Sequence, residues 1–146
     1  MRVTGYSGRA RAALALAIAV SSAGLLAITA SAADTASSGG AVSVLLVEWK
    51  LLPAQITVRA GRVTFVVRND GTMDHEFLVL HSDRHHHSLS VKEGRALETG
   101  RVGEIPLIPK GTTKRMTLKV PRGKYVLLCN MLGHYQAGQY ASLRVR

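Results

Sequence analysis

The sequence predicts an all-β domain, a Greek-key β-sandwich of about seven to eight strands behind an N-terminal signal segment. Three observations carry that expectation. Apolar and polar residues alternate with a period of two in segment after segment from Val42 to Arg146. Turn-forming clusters such as Asn69-Asp70-Gly71 and Pro121-Arg122-Gly123 separate those segments. No part of the chain beyond the leader offers a convincing amphipathic helix.

Taken in order, Arg2, Arg9 and Arg11 precede an uncharged stretch from Ala12 to Ala30, and Ala30-Ser31-Ala32 fits the small-residue pattern read by signal peptidase. Residues 1–32 therefore read as a signal peptide and the protein as exported: periplasmic, secreted or associated with the cell envelope. A membrane association enters only if that segment is retained as an anchor; its length is near the lower limit for a span, and Ser21, Ser22 and Gly24 interrupt it. Residues 33–41, rich in Ser and Gly, read as a flexible linker, and residues 42–146 as the folded domain. The first strand is expected over Val42 to Leu51, with Leu45, Val47, Trp49 and Leu51 on one face. After Pro53, Val63, Phe65 and Val67 share a face; His75, Phe77 and Val79 share another, opposite Leu78 and Leu80. Ser82 to Gly103 is polar and irregular, with one short helical turn expected near Val91 to Leu97. Met116, Leu118 and Val120 mark a half-buried strand, Lys124 to Asn130 the next, and Leu143 and Val145 point inward from the last.

Composition narrows the function classes. The chain has 146 residues, 47% of them hydrophobic, with 19 Lys+Arg against 9 Asp+Glu, a formal charge of +10 and one cysteine. That length suits one domain plus a leader. A single cysteine excludes an intramolecular disulfide and any cysteine-only zinc or iron–sulfur cluster within the chain. One Trp, four Tyr and two Phe are too few for a platform that stacks nucleic-acid bases. The basic residues are spread over strand faces, and export makes nucleic acid an unsuitable partner. No Ser-His-Asp arrangement, paired carboxylate or phosphate-binding glycine loop is present, so the chain reads as no enzyme.

The unusual residues gather between the last two strands. Cys129, His134 and Gln139 follow a Cys-x4-His-x4-Gln spacing, which lets a folded-back loop bring a thiol, an imidazole and an amide to one point; His75, at the start of an earlier strand, can supply a fourth donor. One Cys and two His with a weak axial donor form the ligand set of a mononuclear blue-copper site. A thiolate is a soft donor that stabilises Cu(I), imidazole serves both oxidation states, and Cu(II) heads the Irving–Williams order.

With Asn69-x-Gly71-x3-His75-Glu76-Phe77, Gly123-Lys124-Tyr125-x3-Cys129 and Gly133-His134 in place, the chain from about Val44 to Arg146 resembles the cupredoxins of the plastocyanin and azurin family. The resemblance implies one type 1 copper per chain, with His75, Cys129 and His134 in the equatorial plane. The family usually has Met where this chain has Gln139; stellacyanin-like members use Gln with the same spacing, which makes Gln139 the expected axial ligand. Met73, Met131 and a carbonyl near Asp74 are the competing axial donors. The implied activity is the carriage of single electrons between redox proteins, such as a cytochrome or a copper oxidase, docking near His134 and Leu132. The alternative is an envelope copper chaperone or storage protein, with the loop holding His81, His85, His86 and His87 as an accessory metal site.

Overall fold

Alternation decides the architecture. In the segment Gly61–Asn69, Val63, Phe65 and Val67 are fully buried while Arg62 and Arg68 face solvent, as an extended chain with one wet face requires. The computed structural model describes residues 38–146, so the expected signal segment, residues 1–32, lies outside the described residues, as do residues 33–37. Among the described residues there are eleven strands and no helix: β1 (Ser38–Val47), β2 (Lys50–Leu52), β3 (Gln55–Val58), β4 (Gly61–Asn69), β5 (His75–His81), β6 (Val91–Lys92), β7 (Arg95–Ala96), β8 (Arg101–Ile108), β9 (Thr113–Val120), β10 (Gly123–Leu128) and β11 (Tyr140–Val145).

They form a four-stranded sheet in the order β2-β1-β4-β9, a five-stranded sheet in the order β3-β11-β10-β5-β8, and the small β6-β7 hairpin. β1 runs parallel to β4 and β3 parallel to β11; the other pairs are antiparallel. Val42, Val44, Leu46, Val63, Phe65 and Val67 of the first sheet pack against Phe77, Val79, Tyr125, Leu127, Leu143 and Val145 of the second. Phe65 and Phe77 meet between the sheets with ring centroids 5.5 Å apart. Each fully buried side chain of this kind contributes about 1.5–3 kcal/mol. A second apolar cluster, Leu78, Leu80, Ala96, Val126, Leu128 and Tyr135, covers the outer face of the five-stranded sheet. β5 and β10 are therefore buried on both faces.

The β-sandwich is as expected; several details are not. The strand number exceeds the expected seven to eight because β2, β3, β6 and β7 have only two to four residues each, too few to display a period. β1 begins at Ser38, inside the expected linker 33–41: parallel backbone pairing with β4 needs no side-chain pattern. Its buried face is Val42, Val44 and Leu46, not the face of Leu45 and Val47. The chain reverses at Glu48-Trp49, where Trp49 has φ 62°, so Leu51 pairs across with Leu46 and shares its face. The expected helical turn near Val91 to Leu97 is a hairpin turning at Glu93-Gly94, both at positive φ (51° and 77°), the requirement of a primed turn.

Candidate metal centre

The pairing of β5 with β10 sets Leu78 opposite Leu128, which brings His75, the first residue of β5, alongside Cys129, the first residue past β10. The Glu76 amide donates to Cys129 Sγ (3.4 Å). From Cys129 the chain folds back on itself. His134 N donates to Met131 O (2.9 Å), Ala137 N to Gly133 O (2.9 Å) and Gln139 N to His134 O (3.1 Å), and the neck closes with Cys129 N donating to Gln139 O (3.1 Å). The Cys-x4-His-x4-Gln spacing thus becomes one compact loop with its three polar side chains turned inward.

His75, Cys129 and Gln139 are fully buried and His134 is 7% exposed. One ligand atom from each of His75, Cys129 and His134 lies within 4.8 Å of the others, the single such group of three among the described residues. Cys129 Sγ stands 3.8 Å from His75 Nδ1 and 3.3 Å from His134 Nδ1, and the two Nδ1 atoms are 3.3 Å apart. Gln139 Oε1 approaches His134 Nδ1 to 3.0 Å, while Gln139 Nε2 donates to the Val47 carbonyl (2.7 Å) and fixes which end of the amide faces inward. Met73 and Met131 flank the site on the same two loops, Met73 39% exposed and Met131 half-buried.

Neighbours hold the two ligand loops in place. Asn69, fully buried, donates through Nδ2 to the carbonyls of Met73 (2.9 Å) and Ile108 (2.8 Å) and accepts from Gly71 N (2.9 Å), tying down the turn that precedes His75. Asn130 holds the other loop against the β6-β7 hairpin, accepting from Ala96 N (2.7 Å) and donating to Ala96 O (2.9 Å). Tyr135 accepts from Leu89 N (2.8 Å) and donates to His86 O (2.9 Å). Trp49 stands edge-on to the His134 ring, with centroids 5.2 Å apart. Asn69 was legible as part of a turn motif; Glu48 and Trp49, which reach the site from the other sheet, carried no local signal.

The electrostatics suit a soft cation. Burial pushes the Cys129 thiol up to about 11, opposed by the Glu76 and Met131 amides, so a thiolate here calls for a positive partner. Burial, and then the neighbouring His134, hold His75 below the usual histidine range, which keeps its imidazole neutral and able to ligate. The Thr72 amide holds the Glu48 carboxyl below the ordinary glutamate value. Burial pushes the Glu76 carboxyl up, with Arg95 opposing it from 3.9 Å.

Sulfur, two imidazole nitrogens and an amide oxygen face one another, and once Cys129 is ionised few protons remain to share among them. At most one proton fits between the two Nδ1 atoms, and neither Gln139 Oε1 nor a thiolate can donate. The residues fit a metal of the kind a Cys-His-His set selects, and His75, Cys129 and His134 are positioned as its site. The histidine-rich loop differs. His85 stacks on His87 (centroids 5.5 Å) and His86 lies edge-on to His87 (5.2 Å), while His81 packs instead on Tyr125 (5.0 Å); no three of these histidines form a ligand group.

A sequence profile described as a cupredoxin-like domain matches residues 12–140. No curated protein matches the sequence. Among solved structures, the fold is similar to that of dithionite-reduced auracyanin from Roseiflexus castenholzii, at 17% identity and a TM-score of 0.60 over 75% of this chain and 98% of that one. Auracyanin A from Chloroflexus aurantiacus, described as a "blue" copper protein, matches at 20% identity and a TM-score of 0.56, over 73% and 100% of the two chains. The azurin Az-iso2 from Methylomonas sp. strain J matches at 16% identity and 0.56, over 76% and 99%. The chain belongs to the cupredoxin-like family.

Proposed function

We propose that this chain is an exported type 1 copper protein that carries single electrons between redox partners rather than an enzyme. The observation that carries the reading is the convergence of His75 Nδ1, Cys129 Sγ and His134 Nδ1, with Gln139 Oε1 turned toward them by the Val47 carbonyl. The likeness to auracyanin A, a "blue" copper protein, supports it.

When bound, copper supplies the one-electron couple Cu(II)/Cu(I). The protein's part is to hold the donors still. Cys129 would hold the metal through its thiolate, His75 and His134 through their Nδ1 atoms, with the Gln139 oxygen as the weak fourth donor. His75 and Cys129 sit on or beside the doubly buried strands β5 and β10, and His134 and Gln139 in the loop that joins β10 to β11, so the same geometry serves both oxidation states. The way out runs past His134. Its ring is nearly covered, but Trp49 (43% exposed) lies against it and Leu132, two residues earlier, is 68% exposed. These apolar side chains make the docking face for a cytochrome or copper oxidase.

Purified protein given Cu(II) should turn blue with one copper per chain, and Cys129→Ser should stay pale because a hydroxyl is a hard, poor substitute for thiolate. A colourless parent, or a serine variant as blue as the parent, overturns the reading.

A further inference from the structure

The end of β1 and the turn that follows it belong to the four-stranded sheet, yet three consecutive residues there, Val47 to Trp49, each touch a different member of the ligand set. The Val47 carbonyl accepts from Gln139, Trp49 stands against His134, and Glu48 Oε1 lies 3.7 Å from His75 Nε2. Glu48 Oε1 is itself fixed, accepting from the amide and hydroxyl of Thr72 (3.2 Å for the hydroxyl) and from the amide of Met73 (3.3 Å).

The tautomer of His75 follows from its surroundings. Its Nδ1 faces Cys129 and His134, so Nδ1 must be bare to ligate and the proton must sit on Nε2. Two polar atoms stand beside Nε2: Gln139 Nε2 at 3.4 Å, a donor, and Glu48 Oε1, an acceptor. Only the carboxylate suits an Nε2–H. At 3.7 Å the pair is longer than a hydrogen bond, so what acts across it is charge. Residue 71 keeps that space open. A Cβ on Gly71 would lie 2.5 Å from Glu48 Oε1 and 2.9 Å from His75 Nε2, so any side chain there would drive the two apart.

We propose that Glu48 is the carboxylate partner of His75, a positioning residue that keeps the ring's Nε2–H turned away from the metal and places a fixed negative charge beside the site. The proposal rests on the copper reading and deepens it. A metal-ligating histidine whose other nitrogen faces a carboxylate is a more basic, better oriented ligand, and a nearby negative charge favours Cu(II) over Cu(I).

The test measures Cu(II) and Cu(I) affinities separately, by competition with chelators, and the reduction potential by voltammetry, for the parent, Glu48→Gln and Gly71→Ala. In Glu48→Gln, Cu(II) affinity should fall about tenfold. With Cu(I) affinity unchanged, that tenfold loss reads as a rise of about 59 mV in potential. Gly71→Ala, which keeps the carboxylate but displaces it, should move the potential in the same direction. If both affinities fall equally and the potential stays put, Glu48 only clasps the Thr72 loop and the proposal fails; it fails also if nothing moves. A parent that stays colourless with Cu(II) sinks the copper reading and this inference together, whereas a blue parent with unmoved variants sinks this inference alone.

Discussion

Asn69→Ala removes the side chain that ties the His75 loop to the body of the sandwich, and its cost can be worked from the bonds it makes. Asn69 is fully buried and takes part in three hydrogen bonds, to Met73 O, Ile108 O and Gly71 N. Each is worth about 1 kcal/mol net, so the variant should lose about 3 kcal/mol. That is a large part of a domain's usual margin of about 5–15 kcal/mol. Urea unfolding of the metal-free protein, followed by circular dichroism, reads it directly. With a slope of about 2 kcal/mol/M, the midpoint should drop by about 1.5 M. Asn69→Asp sharpens the test, because it keeps the acceptor for Gly71 but turns a second acceptor toward the two carbonyls; it should be no more stable than Asn69→Ala at neutral pH. A loss below about 0.5 kcal/mol in the alanine variant, within the range of an ordinary surface substitution, would show that water replaces these bonds and that Asn69 is not the anchor.

Two further outcomes follow from the same geometry. An amide oxygen is a harder donor than a thioether and favours Cu(II), so Gln139→Met should raise the reduction potential by about 100 mV, ~2 kcal/mol, while the protein stays blue; a fall or no shift on voltammetry would mean that Gln139 does not touch the metal and would turn attention to Met73. His86 is held below the usual histidine range by burial first and then by His87 and His85. A depressed histidine leaves the unfolded chain binding the extra proton, so stability is complete above the unfolded value near 6.5 and falls as pH drops through it. His86→Phe retains the packing on Tyr140 (5.1 Å between centroids) and should flatten that part of the pH profile in thermal unfolding; profiles that superimpose would remove His86 from the account.

How much of this was legible in the sequence depended on how far apart the cooperating residues lie along the chain. β4, β9 and β11 announced themselves because each has one face in the core and one in water, which writes a period of two into six to nine residues. β8 was hidden: Gly103 and Pro106 break its pattern, and its burial is irregular because it is the edge strand beside β5. The alternation of Leu45, Val47, Trp49 and Leu51 points to the wrong face of β1 because it runs across Glu48-Trp49, where the chain reverses and sets Leu51 opposite Leu46. The polar segment after His81 gave no hint that it covers the outer face of the five-stranded sheet, since Leu89 and Ala96 are its only buried or half-buried apolar anchors in that cluster.

The metal centre divides in the same way. Three of its four expected donors lie in one loop of eleven residues, Cys129 to Gln139, where spacing alone brings them to a common point, and His75 was visible from the turn motif before it. Part of what holds those donors comes from residues 47–49, eighty or more positions away from the loop, and no local pattern can encode that contact. The distinction has a physical consequence. A ligand loop alone can bend toward whatever metal arrives, but Gln139 has one amide end committed to the Val47 carbonyl, and the His134 ring has Trp49 against it, before any metal binds. The geometry is then set by packing between two sheets that each bury a continuous apolar face, and changing it means disturbing that packing. A donor set fixed in this way resists the different geometries that Cu(II) and Cu(I) prefer, and that resistance is the property an electron carrier needs.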